Sequence, residues 1–181
     1  SPLDADADAI TLLAQKFLLA HERRVTSLVL STGNVSQNKT LSGAGNNQWT
    51  DYANSDPIDD IWTARKTIRR AVLKAPNKMA MGAVVWEDAL VNHPSFIERI
   101  KYTERATPDR MMAAVSSLFM VDNIRMSGAI INTALKGATA AYSDIWSDDA
   151  LLFYSANTPS LRQPSFGFTI EVGGGPVIRT K

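Results

Sequence analysis

The sequence has no cysteine among its 181 residues, which removes disulfides, thiolate chemistry and cysteine-type zinc sites together. It has two histidines, His21 and His93, too few for a histidine-rich metal centre. No apolar run reaches the roughly 18 residues expected of a membrane span. Neither sign of charge is in excess: the formal net charge is +1, so the molecule as a whole is not an electrostatic trap for nucleic acid or an acidic membrane. The Gly-x-Ser-x-Gly turn of serine hydrolases does not occur. The lack of cysteine suits a cytosolic or particle-bound protein better than a small secreted one. Ser1-Pro2-Leu3 opens the chain without Met or a signal-peptide pattern, as expected of an N-terminus made by processing or truncation.

What is present is enough for a core. With 45% apolar and 20% charged residues, the chain reads as one ordinary domain, or one domain with a smaller lobe. From about Asp6 to Ser31, Ile10, Leu13, Phe17, Ala20 and Leu28 recur on one helical face. Acids crowd the start of this segment and His21, Arg23 and Arg24 lie towards its end, a polarity that suits the helix dipole. Such a helix is roughly 37 Å long, about the width of a compact body of this size. Residues 32 to 48 are rich in Gly, Asn, Ser and Thr and predict a long irregular connection, which in a compact domain is usually functional or mobile.

Asp56-Pro57 then starts a second helix, the carboxylate accepting from free N–H groups and Pro taking the first helical position. It runs to about Leu73, with Ile58, Ile61, Trp62, Arg65, Ile68 and Val72 on one face. Beyond it the pattern predicts a strand over 79–86, short helices over 86–92 and 95–102, and a helix restarting at Pro108. Strands follow over 123–131, 150–154 and 165–172, with a small-residue loop from Asn132 to Ala141. Helices first and strands mostly last argue for an α+β fold without a regular βαβ repeat.

Several fragments imitate functional motifs. Asp4, Asp6 and Asp8 have calcium-loop spacing, but Ala9 and Gln15 stand where the loop needs Gly and a bidentate Glu. His21-Glu22 begins like a zinc-protease motif, but Val25 replaces the second histidine. Gly173-Gly174-Gly175 is followed by Pro176-Val177-Ile178, a strand-end turn more than a phosphate loop, which needs a helix directly after its glycines. Asn34 and Asn38 head glycosylation acceptors that read as chance matches in an Asn/Ser-rich loop. Asp56, Asp59 and Asp60 share a helix start and form the best carboxylate cluster. A carboxylate-dependent hydrolase centred on them is the alternative from the enzyme class, although cap and first-turn charges explain all three. No cofactor is implied, and residue chemistry alone points to no enzyme.

The segments Gln48-Trp49-Thr50-Asp51-Tyr52, Ser55-Asp56-Pro57-Ile58-Asp59-Asp60-Ile61, Val85-Trp86, His93-Pro94 and Glu98-Arg99-Ile100-Lys101-Tyr102 occur in that order. Ala141-Tyr142-Ser143-Asp144-Ile145-Trp146 and Pro159-Ser160-Leu161-Arg162-Gln163-Pro164-Ser165-Phe166-Gly167 follow. Together they resemble the major capsid proteins of tailed bacteriophages, over roughly residues 48 to 170. That family shares its fold with encapsulin compartments, and an encapsulin-like cage is the nearer alternative. The resemblance implies a long spine helix in a peripheral domain, then an axial domain of a mixed sheet flanked by helices. It divides the chain into 1–48 (spine helix and connecting loop), 49–164 (axial domain) and 165–181 (return towards the periphery). It further implies a subunit that self-assembles into an icosahedral shell in the bacterial host cytoplasm and resides in the virion. Its partners would be copies of itself in capsomers, scaffolding, protease and portal proteins, and packaged DNA without sequence-specific binding, with no membrane. On this reading Asn132, Thr133, Lys136 and Thr139 are the candidate inter-subunit residues. The N-terminal arm and projecting loop that precede the spine helix in that family are missing from this sequence, as expected of a fragment or processed core.

Overall fold

The computed structural model describes residues 5–42, 47–100, 108–158, 160 and 162–168. Two helices open it, α1 (Ala5–Val29) and α2 (Pro57–Val72), followed by strand β1 (Lys78–Gly82) and a π-helical segment, Val85–Leu90. Helices α3 (Pro94–Ile100) and α4 (Pro108–Phe119) lead to β2 (Asn123–Ser127), β3 (Ile130–Asn132), β4 (Tyr142–Asp144) and β5 (Ala150–Phe153). The architecture is α+β, as the sequence predicts.

The start of α2 forms for the reasons legible in its residues. Asp56 sits in an extended conformation and its carboxylate accepts the N–H groups of Ile58 (3.1 Å) and Asp59 (3.2 Å), satisfying donors that have no partner within the helix. Ile58 and Ile61 are buried one turn apart, and they commit this face of α2 to the core. The helix ends at Leu73, which is left-handed at φ 59°.

A three-stranded mixed sheet, ordered β2-β1-β5, lies beneath α2 and α4. Strand β1 is central, parallel to β2 and antiparallel to β5. The parallel pairing needs a crossover, which the π-helix, α3 and α4 provide. Because side chains alternate along a strand, Met79, Ile124 and Leu152 form one cross-strand rank facing the helices. There they pack with Ile58, Ile61, Leu90, Phe96, Val115 and Phe119. The neighbouring ranks, Lys78-Asn123-Phe153 and Ala80-Arg125-Leu151, take the other face. That face is open and bears a depression of about 230 Å³ lined by Lys78, Ala80, Asn123, Arg125 and Phe153. Helices α2 and α4 therefore cover one face of the sheet.

Arg65 ties the layers together. Its Nη1 donates to the carbonyls of Pro76 (3.0 Å), Phe119 (3.2 Å) and Met120 (2.7 Å). These belong to the entry into β1 and the C-terminal end of α4, where a cation is also favoured by the helix dipole.

Three element boundaries differ from the pattern. The strand expected over 79–86 stops at Gly82, and the chain passes into helix. A Cβ at Gly82 would meet the Ser147 carbonyl oxygen at 2.0 Å, so close backbone packing ends the strand there. The following apolar run, Ala83 to Trp86, is equally compatible with a buried helix, which periodicity cannot distinguish. The strand expected over 123–131 divides at Gly128 and Ala129 into β2 and β3, which belong to different sheets. Ser165 to Phe168 do not form a strand; Phe166 makes one backbone bond to Tyr154 (2.9 Å) and its ring rests 5.3 Å from that of Phe153. The remainder of that expected strand, and Gly173-Gly174-Gly175, lie outside the described residues.

Replacing Gly82 with Ala drives a methyl group into backbone that cannot swing aside. We expect Gly82→Ala to lower unfolding stability by about 2 kcal/mol or more, at the upper end of overpacking costs. Chemical denaturation of the purified variant measures this directly.

Candidate functional site

The loop singled out by the sequence is the tip of a β-hairpin. Strands β3 and β4 pair antiparallel with Ile130 opposite Asp144, Ile131 opposite Ser143 and Asn132 opposite Tyr142. Strand β4 and the hairpin were not anticipated from the residues, which gave only a loop here. One further bond, from the Ile145 N–H to the Ala129 carbonyl (2.9 Å), extends the pairing.

The four candidate residues split into two roles. Asn132 closes the loop from within: its Oδ1 accepts the N–H groups of Ala134 and Ala141, each at 3.0 Å. Thr133 reinforces the closure, its N–H and its hydroxyl both donating to the Ala141 carbonyl (2.8 and 3.1 Å). Those polar groups are spent inside the loop. Lys136 and Thr139 stand exposed at the tip, beside Gly137, whose φ of +90° turns the chain.

Sequence reasoning missed the apolar members of this surface. Leu135 is 85% exposed, Tyr142 74% and Ile130 54%. Large apolar side chains presented in so small a projection are the groups that gain from covering, whereas exposed Lys and Thr gain little. A leucine placed inside a run of small polar residues was the available signal.

The second candidate, the acidic cluster, is structurally occupied. Asp56 caps α2, and Asp60 pairs with the Lys39 ammonium and accepts the indole N–H of Trp49 at 2.9 Å. Asp59 is exposed beside them. Among the described residues no group of three acids or histidines is placed to hold a metal ion. Asp6, Asp8 and His21 lie exposed on α1, Asp4 lies outside the described residues, Asn34 donates to the Leu28 carbonyl at the end of α1, and Asn38 donates to the Val35 carbonyl within the loop.

The residue that the sequence reading undervalued is His93. It is buried to 1% exposure at the junction of the 48–56 turn, the π-helix and α3. The Ser95 N–H donates to its Nδ1 (3.2 Å), which assigns the proton to Nε2; Nε2 then donates to Ser55 Oγ (3.2 Å), and Ser55 Oγ donates to the Asp51 carbonyl (2.7 Å). Tyr52 packs edge-on against the imidazole at 5.7 Å, and its hydroxyl donates to the Asp88 carbonyl in the π-helix. Burial pushes the His93 pKa below its ordinary value, against opposing pulls from Asp56 and a bond with Ser55. The arrangement is that of a neutral structural histidine, a fastener between the turn and the core.

No family model matches the sequence. Among curated proteins, the chain is 26% identical over 180 residues to the major capsid protein of Burkholderia phage BcepMu, covering 96% of this chain and 55% of that protein. Among solved structures, a phage-related protein from Bordetella bronchiseptica superposes with a TM-score of 0.75 at 26% identity, again covering 96% of this chain and 55% of the other. The likeness to phage capsid proteins read from the residues is borne out and extends over nearly the whole chain. The chain spans about half the length of the relatives it matches.

The His93 arrangement has a pH signature. The folded pKa lies below the unfolded one, so acid favours the unfolded chain: stability is full above the unfolded value of about 6.5 and is lost as pH falls from there towards the folded value. Urea titrations between pH 7.5 and about 5 should show this decline in the parent chain. His93→Gln, which stays neutral, should be less stable at pH 7.5 and lack that part of the slope.

Proposed function

We propose that the chain is part of a structural subunit of an icosahedral phage capsid, working by repeated contact with copies of itself. The observation that carries this reading is the match to a phage major capsid protein along 96% of the chain, with a phage-related structure agreeing over the same extent. On this reading 1–48 is the spine helix and connecting loop of a peripheral domain, 49–164 the axial domain, and 165–181 the return towards the periphery.

Physical features favour contact over chemistry. The described carboxylates with evident roles serve caps and ion pairs. No described helix is long and apolar enough to cross a membrane. The hairpin offers Leu135 at its tip and Tyr142 and Ile130 on its strands to a neighbour, its tip held in shape by Asn132 and Thr133 so that little further ordering is needed on binding. Each such contact can be modest, because closed symmetry repeats it many times. Within the proposal, neighbouring copies in capsomers are the principal partners. Scaffolding, protease and portal proteins join assembly in the host cytoplasm. Packaged DNA is enclosed in the virion without sequence-specific binding.

Electron microscopy of the complete gene product tests the reading. Uniform closed particles are the expected result, and persistent monomers at high concentration would count against it. Leu135→Asp, at an exposed position with no packing to lose, should reduce particle yield at least tenfold while leaving the far-ultraviolet circular dichroism spectrum unchanged.

A further inference from the structure

Positive charge is unevenly placed along this near-neutral chain. Between Ile61 and Trp86 stand Arg65, Lys66, Arg69, Arg70, Lys74 and Lys78, with no Asp or Glu among them. Arg65 serves the carbonyls described above, and Lys78 donates to the Ser155 hydroxyl (3.4 Å). Lys66, Arg69, Arg70 and Lys74 are exposed, and among the described residues no acid pairs with them. At about 100° per residue, the side of α2 opposite Ile61 carries Thr63, Lys66, Thr67 and Arg70 from that point onward. Arg69 flanks it, and Lys74 follows just past the C-cap. The acid on this side, Asp59, stands seven residues before Lys66, about 10 Å along the axis.

Ordinary helix chemistry does not account for this row. The helix dipole favours cations only within the last turn, which holds Arg69 and Arg70 but not Lys66. Solvated helix faces usually mix acids with bases, and like charges three or four residues apart repel. Lys66 forms such repelling pairs with both Arg69 and Arg70. Within α2 this side also lacks the aromatic and aliphatic groups that mark the core of a protein interface. Lys and Arg bond phosphate oxygens, and the two threonines leave room for a phosphate backbone to approach them.

We propose that this side of α2 is a contact surface for the phosphate backbone of duplex DNA, independent of base sequence. Lys66, Arg69, Arg70 and Lys74 neutralise phosphates, and each contact formed releases condensed counterions. So few cations give a weak, salt-sensitive association. The row is a property of this chain, while the choice of DNA as the polyanion rests on the capsid reading.

Fluorescence anisotropy of a labelled duplex of roughly 20 base pairs, titrated with the 181-residue chain at about 20 to 200 mM salt, tests this. Binding should be measurable at the lowest salt and equal for two duplexes of unrelated sequence. Its logarithm should fall against log salt with a slope of about −2 to −4, the mark of two to four phosphate contacts. Lys66→Gln with Arg70→Gln should weaken binding about tenfold or more at the lowest salt and make the slope shallower by about 2. Lys16→Gln with Arg23→Gln removes the same charge from exposed positions of α1 and should change affinity by about twofold or less. The exchange of Lys66→Arg with Arg70→Lys keeps both charges and should bind as the parent does, which separates lost charge from lost fold. No binding at the lowest salt, or equal weakening by the α1 pair, overturns the assignment. So does tighter binding of poly-glutamate than of a duplex of equal total charge. The complete gene product separates this surface from the shell reading. Closed particles formed by a protein that does not bind duplex would overturn the surface alone, and duplex binding by persistent monomers would count against the shell alone.

Discussion

One guanidinium nitrogen holds the layers of this molecule in register. Arg65 leaves the core face of α2 and reaches the carbonyls of Pro76, Phe119 and Met120, joining α2, the start of β1 and the end of α4. Those three segments enclose the buried cluster of Ile58, Ile61, Met79, Val115 and Phe119. Hydrogen bonds from a charged donor are stronger than neutral ones, and removing such a donor strands the acceptors it served. The hydrophobic core supplies the driving force, while this contact fixes where α2 and α4 sit upon the sheet.

A second fastening acts at the other end of α2. His93, Ser55 and Tyr52 link the turn before α2 to the π-helix and α3 through a short chain of hydrogen bonds and a ring contact. Trp49 and Lys39 meet Asp60 on the first turn of the same helix. Residues that resemble parts of a catalytic site are thus consumed in positioning one helix. Among the described residues, the large apolar groups left outward include Leu135, Tyr142 and Ile130 of the hairpin.

The legibility of the sequence followed the range of the interactions involved. The cap of α2 was readable because Asp56, Pro57 and the N–H groups that Asp56 serves lie within three residues. The long α1 was readable because its stripe repeats along one segment. The end of β1 was not, since Gly82 is fixed by Ser147, distant in sequence. The hairpin escaped for the same reason: Asn132 looks like a loop residue until Ala141, nine positions on, is brought to its side chain. In the candidate surface, polarity drew attention to Asn132 and Thr133, which are exposed but bond within their own loop. Leu135 differs in being a large apolar group left 85% exposed, a fact that no single sequence states.

The off-centre attachment of α1, exposed at every residue from Asp6 to Leu18, has a mechanical consequence. From Glu22, which accepts a hydrogen bond from the Ser127 hydroxyl, to its first turn is a lever of about 17 residues, roughly 25 Å. A tilt of about 10° at that fulcrum displaces the far end by about 4 Å, while the core beneath the sheet need not repack. The direction of the long helix can therefore vary while the folded body keeps its packing.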